Sequence, residues 1–302
     1  MKPFTILWKF SRPHTVIGSI ISICTLYVIV CEKDEIRHLS LLALALIIGI
    51  SCNIFIVGIN QIADVNIDKI NKPYLPIASG ALIMEHAKII VYTALIISLG
   101  LALYISPYLF CIIAFSTAIG WMYSMPPLHL KQHHLSATLA ITTVRGLVIN
   151  LGGFLVFNYL VNNSLEIPMN VRILTLFITA FSIVISWFKD LPDVEGDAKY
   201  NIRTLAILYS PKAALLAGNL LLAAAYLFTI CMKSVDFFAL KTPSFETITL
   251  LYGHIALFSL FIINAFSVTL EKHQSVKKFY RRFWWFFFAE YALYMVAYII
   301  KT

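Results

Sequence analysis

Residues 53–80 read NIFIVGINQIADVNIDKINKPYLPIASG. The stretch begins as greasy helix, sets Asn60, Asp64 and Asp68 at steps of four, and ends in a Pro/Gly break. Side chains four apart share one face of a helix. Read as helix, the stretch places a row of polar and acidic groups at the end of an apolar run. Acids held together repel, and beside lipid they also lose solvation. Something must compensate them.

The rest of the chain says what surrounds that row. Of its 302 residues 60% are hydrophobic and only 13% charged, about half the charge of an ordinary soluble domain. Nine apolar runs fall near 13–31, 39–62, 87–106, 108–124, 136–157, 172–188, 211–231, 247–269 and 283–300. Each is close to the ~20 residues that cross a bilayer as helix. The expected fold is therefore all-α. It is a single membrane domain over 1–302, with two four-helix halves plus one helix around a central cavity. A β-barrel would alternate polar and apolar residues, and these runs are continuous. A cleaved signal peptide fits the first run poorly, because no small-residue cleavage site follows it. No Ser/Arg-rich transit-type extension is expected ahead of it either.

Basic residues orient the helices. With the N-terminus cytoplasmic, nine spans put sixteen lysines and arginines on that side and six on the other. The net charge of +8 thus reads as membrane topology. The charges are scattered over short loops, which argues against nucleic-acid binding. The five cysteines lie mostly inside spans with no CxxC spacing, so they read as small packing residues.

A second acidic group follows the sixth run, in WFKDLPDVEGDAKYNIRTLA. Asp190, Asp193 and Asp197 stand at i, i+3 and i+7, again one helical face, although Pro192 and Gly196 disturb that regularity. Both groups fall on the expected cytoplasmic side. They hold six of the chain's fifteen acids, Glu195 included. One such group alone reads as solvated, cap-forming loop acids. Two in corresponding places point to a hard cation. Mg²⁺ suits carboxylates without Cys or His, because it takes one or two of them and shares its shell with waters and phosphates. Lys72, Lys131, Lys189 and Arg203 lie close by in sequence, and Arg145 sits one or two turns inside the fifth run. Such cations suit a departing diphosphate. For Lys72 and Lys131, ordinary positive-inside topology is the competing reading.

The motif pair resembles a known family. NQIADVNIDKINKP is similar to the NxxxDxxxD motif of the UbiA superfamily of intramembrane prenyltransferases, and KDLPDVEGD to its second, DxxD motif. FSRPHTVIGS (10–19), NKPYLPIASG (71–80), YSMPPLHLK (123–131) and VRGLVINLGGF (144–154) resemble the homogentisate prenyltransferases of tocopherol biosynthesis. Gln61, where many superfamily members have Asp, fits that group too. The resemblance implies transfer of a prenyl group from phytyl or geranylgeranyl diphosphate to homogentisate, with loss of CO₂. It also implies roles. Asn60, Asp64, Asp68, Asp190, Asp193 and Asp197 would hold Mg²⁺ and diphosphate. Lys72, Lys131, Lys189, Arg145 and Arg203 would contact the diphosphate. Tyr123 and Asn150 would either position the aromatic acceptor or simply pack. Arg12 and His14 would bind the acceptor carboxylate, or Arg12 would anchor the membrane surface. Gln61 would face the site without binding metal strongly.

Other features stay outside this scheme. His129, His133 and His134 read as solvated loop residues. RRFWWFFFAE (281–290) reads as an interfacial aromatic belt first and a cavity wall second. Glu290, inside the ninth run, has no assigned role. The competing functions are another prenyl chain or phenolic or tetrapyrrole acceptor, a transporter, whose sites tend to lie at the midplane, or a non-catalytic scaffold.

Overall fold

The computed structural model describes residues 3–31 and 38–300. Lys2, Lys33, Arg37 and Lys301 of the charge tally lie outside them. The elements are helices α1 (Pro3–Phe10), α2 (Pro13–Val30), α3 (Leu39–Ala63), α4 (Val65–Asn71), α5 (Met84–Ile105) and α6 (Pro107–Ser124). A single 3₁₀ turn, Leu130–Gln132, leads into α7 (His134–Ile141), a π-helical segment Thr142–Gly152, and α8 (Gly153–Asn162). After these come α9 (Met169–Phe188), α10 (Val194–Lys199), α11 (Leu205–Leu208), α12 (Pro211–Ala239), α13 (Phe245–Ala265) and α14 (His273–Ile299). No strand forms among the described residues, only an isolated bridge between His133 and Arg203.

Local chemistry sets the breaks. Pro107 and Pro211 open their helices at N1, where a missing N–H costs nothing. Ser106 Oγ accepts from Tyr108 N at 3.2 Å, and Ser210 Oγ from Ala213 N at 3.0 Å. The Ser106-Pro107 pair thereby divides what would otherwise be one overlong span into α5 and α6.

Eight helices, the segment 134–162 counted as one, are long and apolar enough to cross a membrane. The protein is a multi-pass membrane protein. The ninth expected span is the C-terminal part of α14, which runs ten residues further back, from His273 to Ile299. It has the length but also carries Lys277, Lys278, Arg281, Arg282 and Glu290, so by composition it does not rank with the other eight. Each span packs on a sequence neighbour, and α14 returns to α2, closing a ring. Helix α2 is thus a working wall of the bundle, packed on α3, α8 and α14.

The main core centres on α9, with twelve of its twenty residues buried. Aromatic rings from α14 and α12 press on it: Phe181 and Phe283 are 4.5 Å apart between centroids, Phe188 and Phe283 4.9 Å, Phe177 and Tyr226 4.7 Å. The expected belt at 281–290 is therefore mostly interior. Phe283, Trp284, Phe286 and Phe287 are buried, and Trp285 alone of the run's aromatics faces outward. Gly218 lets α12 approach, since a Cβ there would stand 2.3 Å from Phe188 Cε1. Outward faces carry Ile96, Tyr104, Leu216, Leu220 and Ile263, the apolar coat that lipid requires.

Glu290 acquires a role here. It is fully buried and meets His254 Nε2 at 2.9 Å, while His254 Nδ1 donates to Leu250 O at 2.5 Å. The pair ties α14 to α13. Breaking a buried ion pair by removing one partner costs about 3–5 kcal/mol, whereas an apolar replacement of both is far milder. Glu290→Ala should therefore lower the unfolding midpoint in detergent well below that of the double variant His254→Leu/Glu290→Leu. Equal midpoints would remove the clamp. At the end of the bundle remote from the acid motifs, Lys233 bonds Asn170 and Asp236, and Asn170 bonds Glu246 and Tyr298. This network joins α9, α12, α13 and α14.

Candidate active site

The first motif starts in the last turn of α3. Regular helix breaks at Asp64 (φ −99°, ψ 11°) and resumes as α4. The backbone nevertheless keeps four-residue steps: Asp64 N to Asn60 O at 2.9 Å, Asp68 N to Asp64 O at 2.7 Å, Lys72 N to Asp68 O at 2.8 Å. The expected single stripe is thus bent at Asp64, and Lys72 extends it by one step. The second motif leaves α9 through a turn, with Asp193 N on Asp190 O and Asp197 N on Asp193 O, each at 3.1 Å.

The structure brings the two motifs together. Lys72, from the first, pairs with Asp193 of the second. Asn71 Nδ2 donates to Asp197 Oδ1 at 3.2 Å, and Gly196 N donates to Asn71 Oδ1 at 2.9 Å. Lys131, from the turn before α7, pairs with Asp64. Lys189 Nζ donates to Asp190 Oδ1 at 2.5 Å. Asn60 Nδ2 donates to Asp64 Oδ2 at 2.9 Å, and Arg12 Nη2 donates to Asn60 Oδ1 at 3.1 Å. Five aspartates and three lysines from both halves of the chain therefore share one site.

Its electrostatics are unbalanced toward negative charge. Burial, with Asp64 and Asp193 adding to it, pushes Asp68 up to about 6 against the pull of Lys72 and Arg12. Burial plus Asp190 and Asp193 pushes Asp197 up to about 7. Burial also outweighs Asp64 at Lys131 and lowers it. At Lys189 the lowering by burial is more than reversed by Asp190, and the amine ends well above its usual range. Asp68 Oδ2 is buried with no hydrogen-bond partner.

Among the described residues no three His, Cys, Asp or Glu side chains form a ready-made metal cage, because lysines stand between the carboxylates. Mg²⁺ does not need such a cage. One or two carboxylates, waters and phosphate oxygens fill its shell. The orphaned Asp68 oxygen and the buried, proton-attracting carboxylates of Asp68 and Asp197 fit that demand.

The remaining expected site residues are placed as follows. Tyr123, in the last turn of α6, stands beside Lys189. Arg203 turns its side chain outward, and its backbone pairs with Gln132 and His134 instead. Gln61 is buried away from the acids, with Nε2 donating to Phe10 O at 2.7 Å. Asn150 is fully buried, donating to the Arg145 and Gly146 carbonyls, both at 2.9 Å, and accepting from Tyr291 Oη at 2.8 Å. His14 packs edge-on against Trp284, and the Arg145 guanidinium lies over Trp284 and Phe287. Neither bonds to the acid motifs. His129, His133 and His134 flank the turn that delivers Lys131.

Two residues of the junction carried no sequence assignment. Asn71 was visible only as part of the NKP signature. Gly196 read as a threat to helical regularity, whereas its missing Cβ is what admits Asn71. A Cβ there would stand 2.2 Å from Asn71 Oδ1.

A ring of membrane helices with two facing aspartate motifs at one end is the architecture this sequence builds. The chain belongs to the UbiA prenyltransferase family, which it matches over residues 21–287, and it is a prenyltransferase. It is 36% identical over 296 residues to a homogentisate phytyltransferase of Synechocystis sp., covering 96% of this chain and 94% of that protein. It is 34% identical to a chloroplastic homogentisate solanesyltransferase of Arabidopsis thaliana, covering 95% and 76%. A UbiA homolog from Archaeoglobus fulgidus, solved bound to GPP and Mg²⁺, shares the fold with a TM-score of 0.63 at 15% identity, covering 95% of this chain and 99% of that one.

Proposed function

We propose that the protein transfers a long prenyl group, phytyl or a close relative, from its diphosphate to homogentisate with loss of CO₂, in prenylquinone or tocopherol biosynthesis. The observation that carries the reading is the junction of the two motifs through Lys72–Asp193 and Asn71–Asp197. The identities to homogentisate prenyltransferases support the acceptor. The acid motifs face the cytoplasmic or stromal side, as the basic-residue count favours.

Asn60, Asp64, Asp68, Asp190, Asp193 and Asp197 are the groups that hold Mg²⁺, which when bound offsets negative charge on the diphosphate. Lys72, Lys131 and Lys189 add fixed positive charge beside it. As the allylic C–O bond breaks, its electron pair leaves with the diphosphate. Charge therefore grows where these cations stand, and stabilising it there lowers the barrier. The electron-rich ring then supplies the pair for the new C–C bond and gives up the proton of the attacked carbon, while the acetate side chain loses CO₂ and takes up a proton, leaving a methyl group. The surrounding apolar helices keep water from taking the ring's place.

Membranes given labelled homogentisate and a panel of prenyl diphosphates, with and without Mg²⁺, test this. Metal-dependent prenylated product is expected. Uptake into sealed vesicles without product would instead indicate transport.

The raised carboxylates also predict a pH dependence. Asp68 and Asp197 must be ionised to bind a cation, and protons compete below about 6 and about 7 respectively. From pH 8 to pH 5.5 the apparent Mg²⁺ affinity should fall on the order of 10²-fold. The linked stability has a definite sign. Between their ordinary 3.8 and these raised values the folded protein holds protons that the unfolded chain has lost. Metal-free stability therefore declines as pH rises through that window. Mg²⁺ should raise the thermal midpoint more at pH 8 than at pH 5.5. An equal rise at both would contradict the assignment.

A further inference from the structure

Arg145 lies about three helical turns inside the span that begins at His134. Its guanidinium carbon is 4.9 Å from the Trp284 ring centroid and 5.6 Å from that of Phe287. No carboxylate or carbonyl among the described residues accepts from its N–H groups. An arginine at that depth is costly unless an anion or polar cavity answers it. Aromatic faces alone answer it only in part.

A second donor at the same place is also unused. Trp284 is 4% exposed, and its indole N–H makes no well-formed hydrogen bond; the Tyr280 hydroxyl beside it is the neighbouring oxygen, and no anion answers either donor. The His14 ring packs on that same indole at 4.7 Å between centroids. Two residues before His14, Arg12 is bonded to Asn60 of the first acid motif. The unused donors therefore adjoin the diphosphate site without belonging to it, and the three lysines there already have carboxylate partners.

The position is built rather than incidental. The π-helical segment holding Arg145 is pinned to α14 through Asn150, which binds the Arg145 carbonyl and takes the Tyr291 hydroxyl. It is pressed against α9 at Gly146, where a Cβ would stand 2.9 Å from the Thr179 backbone. Donors that face only neutral tyrosine hydroxyls, Tyr280 and Tyr291, and are walled by Trp284, Phe287 and His14 suit one kind of ligand: a flat aromatic ring bearing a carboxylate.

We propose that Arg145, with the Trp284 indole N–H and the His14 ring beside it, holds the carboxylate of the aromatic acceptor and so aims its ring at the prenyl diphosphate. This rests on the acceptor reading given above. It moves Arg145 from the diphosphate to the acceptor, and shifts the carboxylate contact from Arg12 to the neighbouring span.

The test compares homogentisate with methylhydroquinone, which keeps the ring and lacks the carboxylate, by calorimetric binding to the purified full chain in detergent. Losing charge-assisted hydrogen bonds to a carboxylate should weaken homogentisate about 10- to 100-fold in Arg145→Gln. Methylhydroquinone, and a prenyl thiodiphosphate with Mg²⁺, should stay within about twofold on the same argument. Trp284→Phe keeps the ring and removes the N–H, so it should weaken homogentisate alone by about 3- to 10-fold. It serves as the reading if Arg145→Gln does not fold. Weakening of the thiodiphosphate with homogentisate unchanged, or equal weakening of both acceptors, would overturn the proposal. If the wild-type chain forms no prenylated homogentisate, the reaction assignment fails separately. Binding of 4-hydroxybenzoate and its loss in Arg145→Gln would then still support the carboxylate site, and retention would overturn it.

Discussion

Asp193→Ala is expected to lower prenyl transfer by about 10²- to 10³-fold while leaving the protein folded, the size of effect seen when one preorganised charge-stabilising group is removed. The side chain answers Lys72 across the junction. Without it the second motif loses a carboxylate, and the half-buried amine of Lys72 loses its partner. Asp64→Ala should act alike, since Asp64 answers Lys131. Neither aspartate makes a side-chain capping bond to the helix it precedes. Removing it therefore does not unpin α4 or α10; it does leave a lysine without its carboxylate, Lys131 being buried, so some stability is lost while the fold is kept and the rate falls far more. Near-normal turnover in both variants would remove the metal assignment.

Gly196→Ala should be nearly as damaging although it touches no charge. The added methyl would stand 2.2 Å from Asn71 Oδ1, 2.5 Å from Cγ and 2.6 Å from Nδ2. Asn71 is short and buried, so it cannot step aside without breaking its bonds to Gly196 N and Asp197. The motifs would be wedged apart at the point where α4 meets α10. A loss of at least tenfold in rate is expected, by the same reasoning that a displacement of about 1 Å far from the chemistry can cost 10²-fold. Turnover and Mg²⁺ dependence measured beside Asn71→Ala check it. Asn71→Ala removes the obstacle, so the double variant Asn71→Ala/Gly196→Ala should be no worse than Asn71→Ala alone. Unchanged rates in Gly196→Ala would mean the junction does not matter.

The legible parts of the sequence were those written in local pattern. Continuous apolar runs gave the helices, and Ser106-Pro107 gave a break that hydropathy alone would miss. Spacing put Asn60, Asp64 and Asp68 on one face, and hydrogen bonds preserve that face through a bend the spacing could not foresee. Partners distant in the chain were not legible. Lys72 is 121 residues from Asp193, and no local rule selects it over Arg203, which points outward. Glu290 looked unexplained because its answer, His254, lies on another helix. The aromatic run at 283–288 read as an interface because it follows two arginines, yet ring packing against α9 draws most of it inside. Asn150 read equally as a group positioning the acceptor or as a packing residue; its amide bonds the Arg145 and Gly146 carbonyls and Tyr291, partners that only the irregular π-helical backbone brings to it.

The central claim is that two acid motifs act as one site for a metal-bound diphosphate. The direct measurement is calorimetric binding of a prenyl thiodiphosphate to the purified chain, with and without Mg²⁺, in wild type, Asp64→Ala, Asp193→Ala and the double variant. The account predicts binding that requires Mg²⁺, is lost in either single variant, and falls little further in the double. Binding that is indifferent to Mg²⁺, or losses that simply add between the two motifs, would contradict it.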